Sequence, residues 1–364
     1  LKELVAIALE DFNRLDGKDS RWLSQVIIPE RVERLKECNI LPSSIHRTIA
    51  EAMAQTHMGM DADPVNLVFK ALEVALADYI GEHIATSLSD ILFGTPKPVV
   101  SEANMGVLDP DYVNIAVHGH NPILSEMIVQ AARDMKGEAE AVGAKGIKCM
   151  GICCTGNEIL MRQGVPILTN FASQELAIMT GAVDAMVVDI QCIMPGIQAV
   201  AECFHTRIVT TMPSAKIPGS YYVDFDDSRA MEKAREVIEI AIGAFKERNK
   251  EISIPQVKNK VVAGFSLEAL LDIFAAVNPE KPIKVLTDAI ESGELRGVCL
   301  LAGCNNLKRI HDQNHSVIAQ ELAKNNVFLV ATGCAAQTYA KFGMLNSDAV
   351  DKYAGDGLKA FLNR

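Results

Sequence analysis

The sequence predicts an α/β protein in which a helical N-terminal domain precedes two units with parallel sheets. Three observations lead to this fold class. Apolar residues recur at helical spacing through about the first 93 positions, β-rich runs alternate with helices after the segment GTPKP at 94–98, and a polar break at 249–251 precedes a second alternating series. Alternating strands and helices form parallel sheets covered by helices. We therefore place the domains at residues 1–94, 95–250 and 251–364.

The helical domain carries residues that are typical of helix starts. Pro29 and Pro64 stand where the first turn of a helix tolerates proline, and Ser43 or Ser44 precedes a further helix as an N-cap. The stretch from Pro64 to Leu92 is apolar on more than one side, which indicates a helix buried against a partner.

Each α/β unit is predicted from its own series of apolar runs. The first unit should have strands at 113–117, 147–152, 185–190 and 207–211, with helices at 122–135, 157–162 and 228–248. The second unit should have strands at 260–264, 297–301 and 327–332, with helices that begin near Ser266, Pro282 and Ser316.

Composition narrows the class of protein. Of 364 residues 49% are hydrophobic, which excludes a disordered chain, and a net charge of -11 argues against binding to nucleic acid or to anionic membranes. No apolar run approaches the ~20 residues of a membrane helix, so we expect no integral membrane segment. Nine scattered cysteines without a recognisable secretion signal favour free thiols and a cytoplasmic location.

Thiols and imidazoles stand just past the carboxyl ends of five predicted strands. In chain order they are His118 and His120, Cys153 and Cys154, Cys192, Cys304, and Cys334. Ligands of open α/β sheets bind at this edge. Because three of these strands belong to the first unit and two to the second, we expect one shared site between the units.

The donor types favour iron–sulfur chemistry. The sequence has no C-x2-C pair of the kind that structural zinc sites use, whereas several thiolates and one imidazole from distant segments suit an iron–sulfur cluster. The adjacent Cys153 and Cys154 cannot easily aim both sulfurs at one atom, so one should bind metal while the other lies beside it. The remaining cysteines are expected to be packing residues, namely Cys38, Cys149, Cys203 and Cys299.

Several strings in this sequence point to one family. They are HGHNP at 118–122, GICCTGNEILMRQGVP at 151–166, DIQCIMPG at 189–196, TTMPSAKIPG at 210–219, GVCLLAGCNN at 297–306 and ATGCAA at 331–336. In content and order they resemble the catalytic subunit of the anaerobic nickel-iron carbon monoxide dehydrogenases, and the resemblance covers essentially the whole chain.

The resemblance implies a fold, a reaction and partners. The fold is a helical domain followed by two Rossmann-like domains, with a Ni-4Fe-4S cluster of the C-cluster type between them. The implied enzyme is a cytoplasmic homodimer that interconverts CO and water with CO2, two protons and two electrons, and passes the electrons to a ferredoxin-like acceptor. Further 4Fe-4S clusters would belong to segments absent from this sequence.

The resemblance also assigns roles to the strand-end residues. His120 and Cys154 would hold the iron outside the cubane, and Cys153 would lie beside the cluster. His118 is placed in the surroundings, although the residues alone do not separate it from His120. The metal ligands implied are His120, Cys154, Cys192, Cys304 and Cys334.

The sequence departs from the family pattern in three respects that bear on activity. No cysteine follows Cys334, whereas the family has a downstream cysteine that binds nickel, a downstream lysine and cysteine-rich upstream segments. We therefore expect a chain that is truncated at both ends and inactive alone. Two alternatives stay open, a hybrid-cluster-type reductase without nickel and a non-catalytic paralogue or fragment that lacks a complete cluster.

Overall fold

The computed structural model describes residues 2–14, 20–57, 59–248 and 251–364. The chain separates into two compact units, Leu1–Thr95 and Pro96–Arg364. The first is helical and the second contains the sheets, so the predicted α/β class with a helical N-terminal part is confirmed. The boundary predicted near residue 250 stays a prediction. Among the helices of the described residues, none combines the length and the apolar character that crossing a bilayer would require.

The helices of the first unit begin where the sequence predicts. Pro29 and Pro64 occupy first helical turns, and Ser44 caps α4 by accepting a hydrogen bond from the backbone N–H of Arg47. Residues of α1, α2, α4 and α5 share a small apolar core that includes Leu23 and Ile80. The described helices are α1 (Lys2–Asn13), α2 (Arg21–Val26), α3 (Pro29–Glu37), α4 (Ile45–Gln55) and α5 (Pro64–Phe93).

Most strands of the unit Pro96–Arg364 lie within two residues of their predicted bounds, whereas β1, β4 and β7 are additional. The elements up to the polar break are β1 (Val99–Ala103), β2 (Val113–His118), α6 (Pro122–Asp134), α7 (Lys136–Ala141), β3 (Ile147–Ile152), α8 (Cys153–Gln163), β4 (Ile167–Thr169), α9 (Gln174–Met179), β5 (Ala185–Val188), α10 (Ile197–Ala201), β6 (Arg207–Thr210), β7 (Tyr221–Tyr222) and α11 (Ala230–Phe245).

The elements after the polar break follow the same alternating pattern. They are β8 (Asn259–Ala263), α12 (Leu267–Val277), α13 (Lys284–Glu291), β9 (Gly297–Leu301), α14 (Gln313–Lys324), β10 (Val327–Ala331), α15 (Gly333–Lys341), α16 (Asp348–Tyr353) and α17 (Asp356–Leu362).

Two sheets are formed within the described residues. The larger has the strand order β7-β6-β5-β2-β3-β4-β1-β8 and is parallel except for β8, which pairs antiparallel with β1. Alternate residues of β2 point to opposite faces, so Ile115 joins a core with α6 and α11, and Ala116 joins a second core with α9 and α10. The parallel pair β9–β10 forms a separate small sheet.

A buried ion pair closes the amino-terminal edge of the large sheet. Asp184 is fully buried and accepts hydrogen bonds from Arg248 Nε at 2.8 Å and Nη2 at 2.7 Å. Arg248 also donates to the carbonyls of Tyr112 and Ala182, and the backbone N–H of Asn114 donates to Asp184. The network therefore ties the chain after α11 to the starts of β2 and β5.

Replacing Arg248 with alanine should lower the free energy of unfolding by about 3–5 kcal/mol, because the buried Asp184 carboxylate loses its arginine and keeps only the hydrogen bonds to His205 and to the backbone N–H of Asn114. Urea denaturation followed by circular dichroism measures this loss. Arg235→Ala is the matched control, since Arg235 pairs with Asp134 at the surface and should contribute less than about 1 kcal/mol. Equal losses in the two variants would contradict this account of Asp184.

Candidate metal centre

The candidate site lies where carboxyl ends of strands from both sheets meet. His120 follows β2, Cys153 begins α8 directly after β3, and Cys192 follows β5. Cys304 follows β9 and Cys334 lies in the first turn of α15 after β10. The predicted convergence of these segments at one strand edge is thus what the structure shows for their thiols.

Four thiols contact one another in a closed ring. Cys153 contacts Cys192 and Cys334, and Cys304 also contacts both Cys192 and Cys334. Cys153 and Cys334 are buried, whereas Cys304 is exposed. We call Cys153, Cys192, Cys304 and Cys334 the thiol ring.

The thiols of the ring shift one another's pKa values, and Cys304 is the member whose pKa falls. Hydrogen bonds from Cys192 and Cys334 lower the pKa of the Cys304 thiol to about 3. The contact with Cys153 lowers the pKa of both Cys192 and Cys334, but the contact with Cys304, together with burial, outweighs it and raises these values to about 11 and about 12. Burial raises the pKa of Cys153 well above its ordinary value. A cation that binds here must therefore displace protons.

His120 points its free ring nitrogen toward this ring. Its Nδ1 lies 2.9 Å from the carbonyl oxygen of Ile190, which can only accept, so Nδ1 carries the hydrogen. The other nitrogen, Nε2, lies 3.9 Å from the Cys192 sulfur, so its lone pair accepts a hydrogen bond from that thiol and can bind a metal once the thiol proton leaves. Hydrogen bonding of one imidazole nitrogen to a carbonyl is the usual way in which a metal-binding histidine is oriented.

His118 lies in a different environment. It is buried, its Nε2 lies 3.3 Å from the side-chain oxygen of Gln174, and burial lowers its pKa to about 4. His120 therefore lies next to the thiol ring, whereas His118 is buried against Gln174. The choice of His120 as ligand stays a prediction that this arrangement supports.

The buried carboxylate of Asp189 holds the His120 loop in place. It follows β5 and accepts hydrogen bonds from the backbone N–H groups of His120 at 2.8 Å and Asn121 at 2.7 Å. Gly119 makes this approach possible, because a Cβ there would lie 1.8 Å from Asp189 Oδ1 and its φ is 139°. Burial raises the pKa of Asp189, although the N–H donors oppose this shift.

A second buried carboxylate, Asp312, holds the Cys304 loop. Its backbone N–H donates to Asn305 Oδ1 at 3.0 Å, and its Oδ1 accepts from Thr338 Oγ1 at 2.7 Å. Lys341 Nζ donates to Oδ2 at 2.6 Å. Burial alone would raise the pKa of Asp312, but Lys341 outweighs it and holds the pKa below its usual range. The segment after β9 is thereby fixed to α15, which carries Cys334.

The structure places the other cysteines as follows. Cys154 is the second residue of α8 and is partly exposed, and its role as an iron ligand stays a prediction. Cys149 and Cys299 are partly buried within strands. Cys38 and Cys203 are exposed, so the expectation that they are packing residues was wrong: each lies just past a short helix, in a turn that faces solvent.

The donor set fits a polynuclear cluster better than a single ion. Within the described ranges, no three His, Cys, Asp or Glu side chains are arranged to hold one metal ion. Several thiols that lie next to one another, with one imidazole beside them, are instead the kind of donor set that can bind the separate irons of a cluster. The residues present therefore fit an iron–sulfur group.

Sequence reasoning missed the residues that hold the ligand loops. Asp189 could have been found, because an aspartate that follows a buried strand run and precedes a cysteine at the ligand edge is conspicuous. Gln174, Gln337 and Asp312 lie within helices or in a loop without a recognisable motif, so no signal in the sequence identified them.

The chain is similar in sequence to known proteins over essentially its whole length. The subunit beta of carbon monoxide dehydrogenase/acetyl-CoA synthase from Moorella thermoacetica is 62% identical over 100% of the chain and 54% of its own length. Carbon monoxide dehydrogenase 1 from Carboxydothermus hydrogenoformans is 50% identical over 99% of the chain and 57% of its own length. The chain thus spans little more than half the length of these relatives.

Solved structures show the same fold. One describes NiZn[Fe4S4] and NiNi[Fe4S4] clusters in the alpha subunits of acetyl-CoA synthase/carbon monoxide dehydrogenase; it matches with a TM-score of 0.88 and 61% identity over 100% of the chain and 55% of its own. The nickel-free carbon monoxide dehydrogenase from Thermococcus sp. AM4 matches with a TM-score of 0.86 and 43% identity over 100% of the chain and 57% of its own. With the sequence model of the Prismane/CO dehydrogenase family matching residues 1–363, the chain belongs to that family.

Proposed function

We propose that the protein containing this chain interconverts CO and water with CO2, two protons and two electrons at a nickel–iron–sulfur cluster. The observation that carries the proposal is the thiol ring with His120 beside it, at the edge where both sheets end. The names of the relatives support the same reaction.

The residues proposed to hold the cluster come from five strand ends, those of β2, β3, β5, β9 and β10. The iron ligands are His120, Cys154, Cys192, Cys304 and Cys334, with Cys153 beside the cluster. When bound, the cluster would supply Lewis acidity toward CO and water and a redox couple for two electrons. Residues of this chain would orient the ligands: Asp189 fixes the His120 loop, and Asp312 fixes the Cys304 loop.

The remaining parts of the proposal concern the whole protein. We place it in the cytoplasm as a homodimer that passes electrons to a ferredoxin-like acceptor, with further 4Fe-4S clusters outside this chain. The chain alone lacks a cysteine after Cys334 and should be inactive. The hybrid-cluster reductase is not favoured, because the similar proteins reported above carry the name carbon monoxide dehydrogenase.

Metal analysis and activity of the anaerobically purified full-length protein test this proposal. We expect both nickel and iron, and CO-dependent reduction of a viologen dye. Iron without nickel, and without CO oxidation, would favour the hybrid-cluster alternative. An intact mass near that of this chain, with neither metal, would favour the non-catalytic alternative.

His120 and His118 should respond differently to substitution. His120→Ala removes a proposed ligand and should lower the affinity for iron by about 10-fold or more, whereas His118→Leu should chiefly change stability. Iron content per folded protein, measured by optical emission after desalting, separates the two. The assignment would be reversed by a larger loss of iron in His118→Leu.

A further inference from the structure

Two buried glutamines contact the loops that carry Cys153 and Cys192. Gln337 lies in α15, one turn after Cys334, and Gln174 begins α9. Neither is a metal ligand by chemistry, and both side chains are buried beneath the thiol ring. A buried amide needs hydrogen-bond partners, so their partners indicate what they do.

The side chain of Gln337 forms hydrogen bonds with both the N–H and the C=O of Cys153. Its Nε2 donates to the carbonyl oxygen of Cys153 at 2.6 Å, and its Oε1 accepts from the backbone N–H of Cys153 at 3.2 Å. The thiol of Cys334 also donates to Oε1, at 3.8 Å. One side chain therefore joins the start of α8 to the start of α15, across 184 positions of sequence.

Gln174 forms a similar pair of hydrogen bonds with the loop that carries Cys192. Its Nε2 donates to the carbonyl oxygen of Cys192 at 3.0 Å, and its Oε1 accepts from the backbone N–H of Met194 at 3.3 Å. It also donates to the carbonyl of Phe171 at 2.7 Å, which anchors it to its own helix start.

The two cysteines held in this way share an unusual backbone conformation. Cys153 has a φ of 61° and Cys192 a φ of 54°, in the left-handed region that residues with a Cβ rarely adopt. A strained conformation persists only where its surroundings enforce it. Because the direction of a sulfur follows from the backbone of its residue, releasing either loop would turn its thiol out of the ring.

We propose that Gln337 and Gln174 are positioning residues, which fix the left-handed backbone of Cys153 and Cys192 and thereby direct both thiols toward one cluster before metal arrives. This inference rests on the proposed function, since it assumes that the thiol ring receives a cluster. Glutamine suits the role because its amide both donates and accepts, which neither a carboxylate nor an apolar side chain does at neutral pH.

Gln337→Met and Gln174→Met test the proposal in the full-length protein, because methionine keeps the length and removes every hydrogen bond. Each variant should retain iron about 10-fold more weakly in competition with a chelator, and the electron paramagnetic resonance spectrum of the remaining cluster should be altered. Asn114→Leu is the control, since Asn114 is a buried amide with several hydrogen bonds at the opposite edge of the sheet. It should lower the melting temperature while the iron and the spectrum stay as in the unmodified protein.

Wild-type iron retention and spectrum in both methionine variants would overturn the proposal, as would an equal spectral change in Asn114→Leu. If Gln337→Met does not fold, Gln337→Glu keeps the acceptor for Cys153 N–H, loses the donor and adds a negative charge beside the thiol ring. An unchanged spectrum in that variant would also overturn the proposal. Failure of the proposed function is a distinct result, because it is measured in the unmodified protein, as iron without nickel and without CO oxidation or as the absence of both metals.

Discussion

Alanine at Cys192, Cys304 or Cys334 is expected to abolish cluster assembly in the full-length protein. Each of the three supplies one corner of the thiol ring, and hydrogen bonds from Cys192 and Cys334 lower the pKa of the Cys304 thiol. Removing one thiolate from a cluster leaves an iron without its protein ligand, so the loss should be close to complete. Iron and acid-labile sulfide per folded protein measure it.

The matched control is Cys203→Ala. Cys203 is an exposed free thiol outside the ring, so its removal should leave iron and sulfide unchanged. A large loss in Cys203→Ala, or full iron content in the three ring variants, would show that the thiols have been sorted wrongly.

Gly156→Ala should displace the helix that carries Cys153 and Cys154, because it adds a methyl group where two backbone segments touch. Gly156 and Gly151 bring the first turn of α8 against the end of β3, and a Cβ on Gly156 would lie 2.7 Å from the backbone carbon of Gly151. Backbone atoms cannot rotate away, so the helix must move from the strand and carry Cys153 and Cys154 with it. We expect a loss of about 3 kcal/mol in stability and a large loss of cluster iron.

Gly243→Ala is the control for this effect. Gly243 lies inside α11, and a Cβ added there would have no other atom within 4 Å. Alanine at this position should therefore stabilise the helix by about 0.5–1 kcal/mol. Thermal melting and iron content of both variants decide the matter. A Gly156→Ala protein with unchanged melting temperature and iron would refute the role given to this glycine contact.

Strong local patterns were the predictable part of the fold. The bounds of β3 and β9 agree with the apolar runs, and Pro29, Pro64 and Ser44 stand at helix starts as predicted. The additional strands β4 and β7 are three and two residues long, too short for alternation to be visible in sequence. Such strands exist only because a neighbouring strand pairs with them.

The candidate site was predictable in its location but not in its orientation. The rule that ligands lie at the carboxyl ends of parallel strands predicts that thiols from these strand ends lie together, and those of Cys153, Cys192, Cys304 and Cys334 do. The assignment of Cys154 as the ligand, with Cys153 beside the cluster, stays a prediction. Which of two adjacent residues faces the ring depends on the left-handed φ of Cys153, and tertiary contacts from Gln337 accompany that conformation. Such contacts come from distant positions, so local sequence does not encode them.

The separation of β9–β10 from the large sheet has a consequence for biogenesis. The thiol ring draws on both sheets, so a ribosome must release the chain well past Cys334 before the last corner can close. All four thiols of the ring can therefore receive iron and sulfide only after the segment through α15 has been synthesised. Once inserted, the iron and sulfide would link two sheets that share no strand pairing among the described residues.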